Sequence, residues 1–236
     1  MTTLADPATL PTAHPPASAG AAWVARYLEP FLRSRVAQLP APLRCLQLWA
    51  DDDEEAGALR ARGHACTVLM PGESPATSMR WSARPVVGSG EHLPFRADAF
   101  DLVFTSAFAR LAQTPAARAA LACELARVTR PGGAMLLSVG NRWCPLDLQS
   151  RDALVHGPWH AQKASLGQME AAFAAARIAR IERLSLDRQF GWSRARGPLR
   201  LAVGAVSAYL HCVSAPGWRT LYASPLNPVL MLCMTR

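Results

Sequence analysis

The chain has 236 residues, half of them hydrophobic, 18% charged, with a formal charge of +8. That length supports one α/β domain with a full core, and the composition excludes a disordered chain or a disulfide scaffold. No apolar run reaches the roughly 20 residues that cross a bilayer.

The basic residues are nearly all arginine, with Lys163 the only lysine, and they are spread along the chain without a dense run, so nucleic-acid binding is disfavoured as the meaning of the charge. The six cysteines, Cys45, Cys66, Cys123, Cys144, Cys212 and Cys233, form no C-x-x-C pair, which argues against a zinc site. Residues 1–20, rich in Pro, Ala and Thr, read as a disordered tail with no signal-peptide pattern, and the protein as cytoplasmic. Residues 21–236 read as one domain.

In chain order, Ala21 to Ala37 has helical spacing, interrupted by Pro30. Arg44 to Leu48 reads as a first strand and Asp53 to Arg62 as a helix, closed by Gly63. Ala65 to Leu69 is a second strand, followed by a less defined helix near Pro75 to Trp81 and a short third strand at Pro85 to Gly88. Phe100 to Thr105 is a fourth strand. Pro115 to Thr129 is an amphipathic helix with Leu121, Leu125 and Val128 on one face. A turn at Pro131-Gly132-Gly133 precedes a fifth strand, Ala134 to Val139. Then come a helix at Leu166 to Ala176, a strand at Ile178 to Leu186, a helix at Leu199 to Val213 and a last strand at Pro228 to Met234. Residues 141–164 and 189–224 read as cap insertions on the substrate side, and the sixth and seventh strands are expected to pair.

Strands alternating with helices imply an α/β fold, a doubly wound, mostly parallel seven-stranded sheet with a helical cap inserted before the last strand. Such sheets take ligands at the carboxyl ends of their strands, where strand order reverses.

Four stretches carry a family resemblance. Gly88-Ser89-Gly90-Glu91-His92-Leu93-Pro94-Phe95 resembles a G-D-A-x-x-L-P-F segment after strand three, and Phe100-Asp101-Leu102-Val103 an F-D-x-V strand four. Glu124 through Arg127-Val128-Thr129-Arg130-Pro131-Gly132-Gly133 resembles E-x-x-R-V-L-x-P-G-G, and Asn141-Arg142-Trp143-Cys144-Pro145-Leu146 an N-R-x-x-P-L segment. In this order and spacing they are similar to the class I S-adenosylmethionine (SAM)-dependent methyltransferases of type 11. The resemblance implies a Rossmann-like fold, SAM as cofactor and methyl transfer to a small or lipophilic acceptor.

The resemblance fails at the first strand. The family ends that strand in D-x-G-x-G-x-G, whose glycines let the backbone approach the cofactor while the next helix N-terminus receives the methionine carboxylate. Here the acid falls on Gln47 and the glycines on Trp49, Asp51 and Asp53. The acid that holds the ribose falls near Met70, and Ser89 replaces the acid that meets the adenine amino group. The run Asp51 to Glu55 would cap the helix start itself and repel a carboxylate. A metal site is not implied, because contiguous carboxylates at a helix start diverge.

The residues set out for the cofactor are thus Trp49, Asp51, Met70, Gly88, Ser89, Glu91 and Thr105. His156 and His160 are the candidate general bases, and Trp143, Trp159 and Trp192 the candidate acceptor lining. Four readings stand: an active methyltransferase with an atypical cofactor loop; a catalytically inactive relative serving as scaffold or partner of an active enzyme; a fold repurposed for another ligand; and a basic nucleic-acid binder.

Overall fold

The computed structural model describes residues 42–48, 54–71, 85–106, 108–145, 163–178, 180–184, 199–215 and 217–236. Its strands are β1 (Arg44–Leu48), β2 (Ala65–Pro71), β3 (Val86–Gly88), β4 (Phe100–Thr105), β5 (Thr129–Gly140), β6 (Ile181–Leu184) and β7 (Val229–Thr235). Its helices are α1 (Glu54–Arg60), α2 (Phe108–Leu111), α3 (Pro115–Val128), α4 (Leu166–Ala175), α5 (Leu199–Val213) and α6 (Arg219–Tyr222). The expected tail, the helix at 21–37 and the helix at 75–81 lie outside the described residues.

The seven strands form one sheet in the order β3-β2-β1-β4-β5-β7-β6. Strands β1 to β5 pair parallel, and β7 runs antiparallel between β5 and β6. The order reverses between β1 and β4, so the crevice at their carboxyl ends is where such a sheet takes a ligand.

Both faces of the sheet are covered. Leu46, Leu48, Val103, Met135 and Leu137 point to the face packed by α3 and α4, and Phe108 stacks near Phe173 with centroids 5.6 Å apart. Their neighbours Cys45, Leu102, Phe104 and Leu136 point the other way, onto Leu59 of α1. The two-residue alternation of a strand produces this division, and burial on both sides explains why β4 is apolar almost throughout, with every residue buried.

Capping groups fix several helix ends. Thr114 caps α3, accepting from the Ala117 N–H at 3.1 Å, with Pro115 at the first helical position. Ser165 and Gln168 form a reciprocal capping box on α4. Gly63, at φ +86°, takes the left-handed turn after α1 that a side chain resists.

Three expectations change. The Pro131-Gly132-Gly133 turn is absorbed into β5, which follows α3 directly. The step Phe100 to Leu102 on β4 is matched by the step Thr129 to Ala134 on β5, leaving three extra residues as a bulge. That bulge is tied by main-chain bonds between Gly132 and Arg236 (2.8 Å) and between Arg236 and Gly133 (3.1 Å). Strand β6 is shorter than its apolar run suggested. The one-turn helices α2 and α6 had no pattern long enough to read.

Candidate functional site

Among the described candidates, Met70 is the last residue but one of β2, Gly88 ends β3 with Ser89 and Glu91 on the loop beyond, and Thr105 ends β4. Trp143 follows β5, the next strand over. Topology therefore brings these six to the carboxyl edge of one sheet. Trp49, Asp51, His156, Trp159, His160 and Trp192 lie outside the described residues.

The Gly88 side of the crevice is firmly built. Gly88 pairs with Pro71, and an added Cβ there would meet Pro94 at 2.9 Å, so the close approach of the loop requires glycine. The loop is then clasped to α3. The Glu124 carboxylate accepts the Leu93 N–H at 2.8 Å. The Arg127 guanidinium donates to the carbonyls of Phe95 (2.8 Å) and Leu93 (3.1 Å) and to both Glu124 oxygens (2.7 and 2.8 Å). Those Arg127 bonds first, then the Leu93 amide, hold the Glu124 carboxyl below its usual range against the opposing effect of burial. The L-P-F and E-x-x-R motifs, read separately in the sequence, are two halves of one clasp. Ser89 and Glu91 ride on it exposed, with the Ser89 hydroxyl accepting the Glu91 N–H at 3.2 Å.

The β1 side is different. The Gln47 side chain is almost fully buried, accepting the Ala56 N–H at 3.0 Å and donating to the Glu55 carboxylate at 2.8 Å. One amide thereby caps α1 from β1, and Glu55 places a negative charge beside it. The sequence had marked Gln47 only as a lost acid; a Gln eight residues before Glu55 was the signal for this interlock. Met70 is buried, and its thioether offers no strong acceptor for hydroxyls. Thr105 is buried and spends its hydroxyl on the Leu48 carbonyl at 2.9 Å, joining the ends of β4 and β1.

Asp101 is buried and accepts the Arg44 N–H at 2.6 Å, and forms an ion pair with Arg130, whose Nε lies 2.8 Å away. It bolts the start of β4 to its neighbours, at the opposite edge of the sheet from the crevice.

Beyond β5 the cap is anchored by polar groups to which the sequence reading gave no structural role. Buried Asn141 donates to the carbonyls of Ser224 (2.9 Å) and Asn227 (2.7 Å) and receives the Trp143 N–H at 3.2 Å. Lys163 is buried, its ammonium donating to the Cys144 carbonyl at 2.8 Å. Tyr222 receives the Met231 N–H at 2.8 Å and donates to carbonyl oxygens of β7 and β6, and its burial pushes the phenol up. Trp143 itself is half exposed at the edge of this knot.

A SAM-type cofactor does not fit these residues at its ribose and amino-acid ends. The helix start already takes the Gln47 amide and stands beside the Glu55 carboxylate, and Met70 is apolar. The Gly88-to-Phe95 side, by contrast, is held in place by the Glu124–Arg127 clasp. Among the described residues no group of three or more His, Cys, Asp or Glu could hold a metal, and no helix is long and apolar enough to cross a membrane.

Residues 55–137 match the family described as "Methyltransferase domain". The CcbJ methyltransferase from Streptomyces caelestis is similar in fold, with TM-score 0.53 at 12% identity over 94% of this chain and 90% of that one. A SAM-dependent methyltransferase from Methanosarcina mazei gives TM-score 0.48 at 13% identity, covering 85% of this chain and 95% of the other. One from Mesorhizobium loti gives 0.45 at 16%, covering 87% and 97%. No curated protein matches the sequence.

Proposed function

With a class I SAM-dependent methyltransferase relative as the premise, by fold and by the match over residues 55–137, we propose a methyltransferase-type protein directed at a small or lipophilic acceptor, with a weakened hold on SAM. The observation that carries this reading is the asymmetry of the crevice: the Glu124–Arg127 clasp keeps the Gly88-to-Phe95 wall, while Gln47, Glu55 and Met70 replace the groups that would tie ribose and carboxylate. Trp143, at the cap side of the same edge, supplies flat apolar surface for an acceptor. Methyl transfer depends chiefly on proximity and alignment, so a dedicated base is not essential. His156 and His160 remain the candidates where the acceptor must lose a proton.

Titration calorimetry with SAM and with its demethylated product tests the reading. Dissociation constants of about 100 µM to 1 mM are expected. Values below about 10 µM would overturn the weakened hold. A second reading, a catalytically inactive scaffold or partner, is favoured by the Gln47–Glu55–Ala56 interlock, which closes the helix start from within. It predicts no heat of binding at about 5 mM ligand and a methyltransferase that co-purifies with the chain.

A further inference from the structure

Cys45 and Cys66 hold the same position on neighbouring strands. Each is the second residue of its strand, Cys45 on β1 and Cys66 on β2, and the two are register partners in the parallel pair. Register partners present their side chains on one face of a sheet, and both cysteines pack in the apolar cluster that holds Leu59 of α1. Neighbouring strands run about 4.8 Å apart, inside the Cα separation of about 4.4–6.8 Å that a disulfide bridges. Both thiols are free. Cys233, the third cysteine on a strand, faces Leu136 and Glu182 instead.

The two sulfurs are unequally placed. Cys45 is 0% exposed, whereas Cys66 is only half-buried. Beside Cys66 stands Arg60, whose Nε donates to the Cys66 carbonyl at 3.1 Å. The hydrogen bond from the Cys45 thiol pulls the Cys66 thiol below its ordinary range, with burial opposing and the Arg60 charge assisting. The same bond, with burial, pushes Cys45 up. The thiolate is the nucleophile toward an oxidant, so Cys66 is the attacking sulfur. Cys45, protonated and sealed from solvent, is its neighbour. A reachable thiolate beside a second thiol is the arrangement in which oxidation ends in a disulfide.

We propose that Cys45 and Cys66 form an oxidation site, where a peroxide closes a disulfide across β1 and β2. The Cys66 thiolate attacks one peroxide oxygen, the O–O bond breaks, and hydroxide leaves with the electron pair, giving the Cys66 sulfenic acid. The Cys45 sulfur then attacks the Cys66 sulfur. The S–S bond forms as the S–O bond breaks, and the departing hydroxide takes the Cys45 proton and leaves as water. Counting the proton that Cys66 shed, two thiols and one peroxide give one disulfide and two waters. The closed loop carries the end of β1, the Gln47–Glu55 interlock and α1. Oxidation thus staples the segment on which the β1 side of the crevice is built. This goes beyond the methyltransferase reading and does not rest on it.

Hydrogen peroxide on the folded full chain, followed by capping of the remaining thiols and peptide mapping without reductant, tests the proposal. Arg60 and Arg62 lie between the two cysteines, so cleavage after arginine separates them unless a disulfide joins them. The expected product is a joined Cys45–Cys66 peptide pair, lighter by two hydrogens than its parts and lost on treatment with dithiothreitol. In Cys45→Ala, its fold checked by thermal melting, the sulfenic acid has no thiol to resolve it, and dimedone is expected to label Cys66. Should that variant not fold, Cys66→Ala is the second, in which Cys45 is expected to stay unmodified. Mapping of the parent needs neither variant. A Cys66 thiol that survives while Cys123 or Cys212 is oxidised, a Cys66 sulfinic acid with Cys45 still free, or a Cys66 disulfide to another cysteine would overturn the proposal. So would an equal yield of the Cys45–Cys66 bond in urea, because the fold would then have no part in it. Calorimetry with SAM fails or succeeds independently of these results.

Discussion

The two sides of the crevice make an instructive pair. On the β3 side, Leu93, Phe95, Glu124 and Arg127 spend their polar groups on the protein itself. On the β1 side, Gln47, where the motif of the similar family has an acid, and Glu55 also bond within the chain. A group that satisfies a buried carbonyl cannot be lost without leaving that carbonyl unpaired, whereas a group that holds a cofactor is free to change once the fold no longer needs it. The fold and the ligand site thus answer to different constraints within one domain.

The sharpest way to break this contrast is to cut the clasp. Arg127→Ala leaves the Phe95 and Leu93 carbonyls without their donor and the Glu124 carboxylate with only the Leu93 N–H; discounted for the exposure of the Arg127 side chain, a loss of about 2 kcal/mol in unfolding free energy is expected from urea denaturation. The same clasp gives a pH signature. The Glu124 carboxyl is depressed in the folded state, chiefly by Arg127. Its contribution is therefore present above the unfolded value of about 4.3 and is lost as pH falls through the lower folded value. In Glu124→Gln that part of the acid slope should vanish in pH-dependent denaturation.

Rebuilding the other side is the next test. Gln47→Asp combined with Trp49→Gly, Asp51→Gly and Asp53→Gly restores the glycine pattern at the aligned positions. SAM affinity by calorimetry is expected to rise by about tenfold, worth about 1.4 kcal/mol; an unchanged affinity would locate the defect at Met70 instead. Gln47→Ala alone removes the cap on α1 and should cost about 1 kcal/mol in thermal denaturation.

The smallest effect is chemical. Cys45 and Cys66 are register partners on β1 and β2. The hydrogen bond with Cys66, then burial, pushes the Cys45 thiol up, while the bond with Cys45 pulls Cys66 down. Alkylation of the native protein at pH 8, followed by peptide mapping, should modify Cys66 well before Cys45.

Much of the fold was legible because it rests on local patterns. Strand β1 and helix α5 begin and end where the apolar pattern placed them. The bulge at residues 129–133 was read as a turn because Pro-Gly-Gly signals a break in direction but not that Arg236 will arrive to bond its main chain. Of the candidate site, the family motifs located the wall at Gly88 to Phe95, and the alignment flagged Gln47 and Met70. It did not reveal that Glu124 and Arg127 hold that wall, 31 to 34 residues away along the chain.

Composition and periodicity alone determined an α/β chain with a covered, mostly parallel sheet, and the spacing of short motifs pointed to a methyltransferase-like fold. The tertiary structure decided what those motifs do: which serve the fold, which buried amide seals the helix start, and which apolar residues of the cap remain outside. The physical reason is the range of the interactions. Helix and strand periodicity is written within a few residues, but a buried carboxylate, amide or ammonium finds its partner only after distant segments have been brought together, and no pattern along the chain encodes that distance.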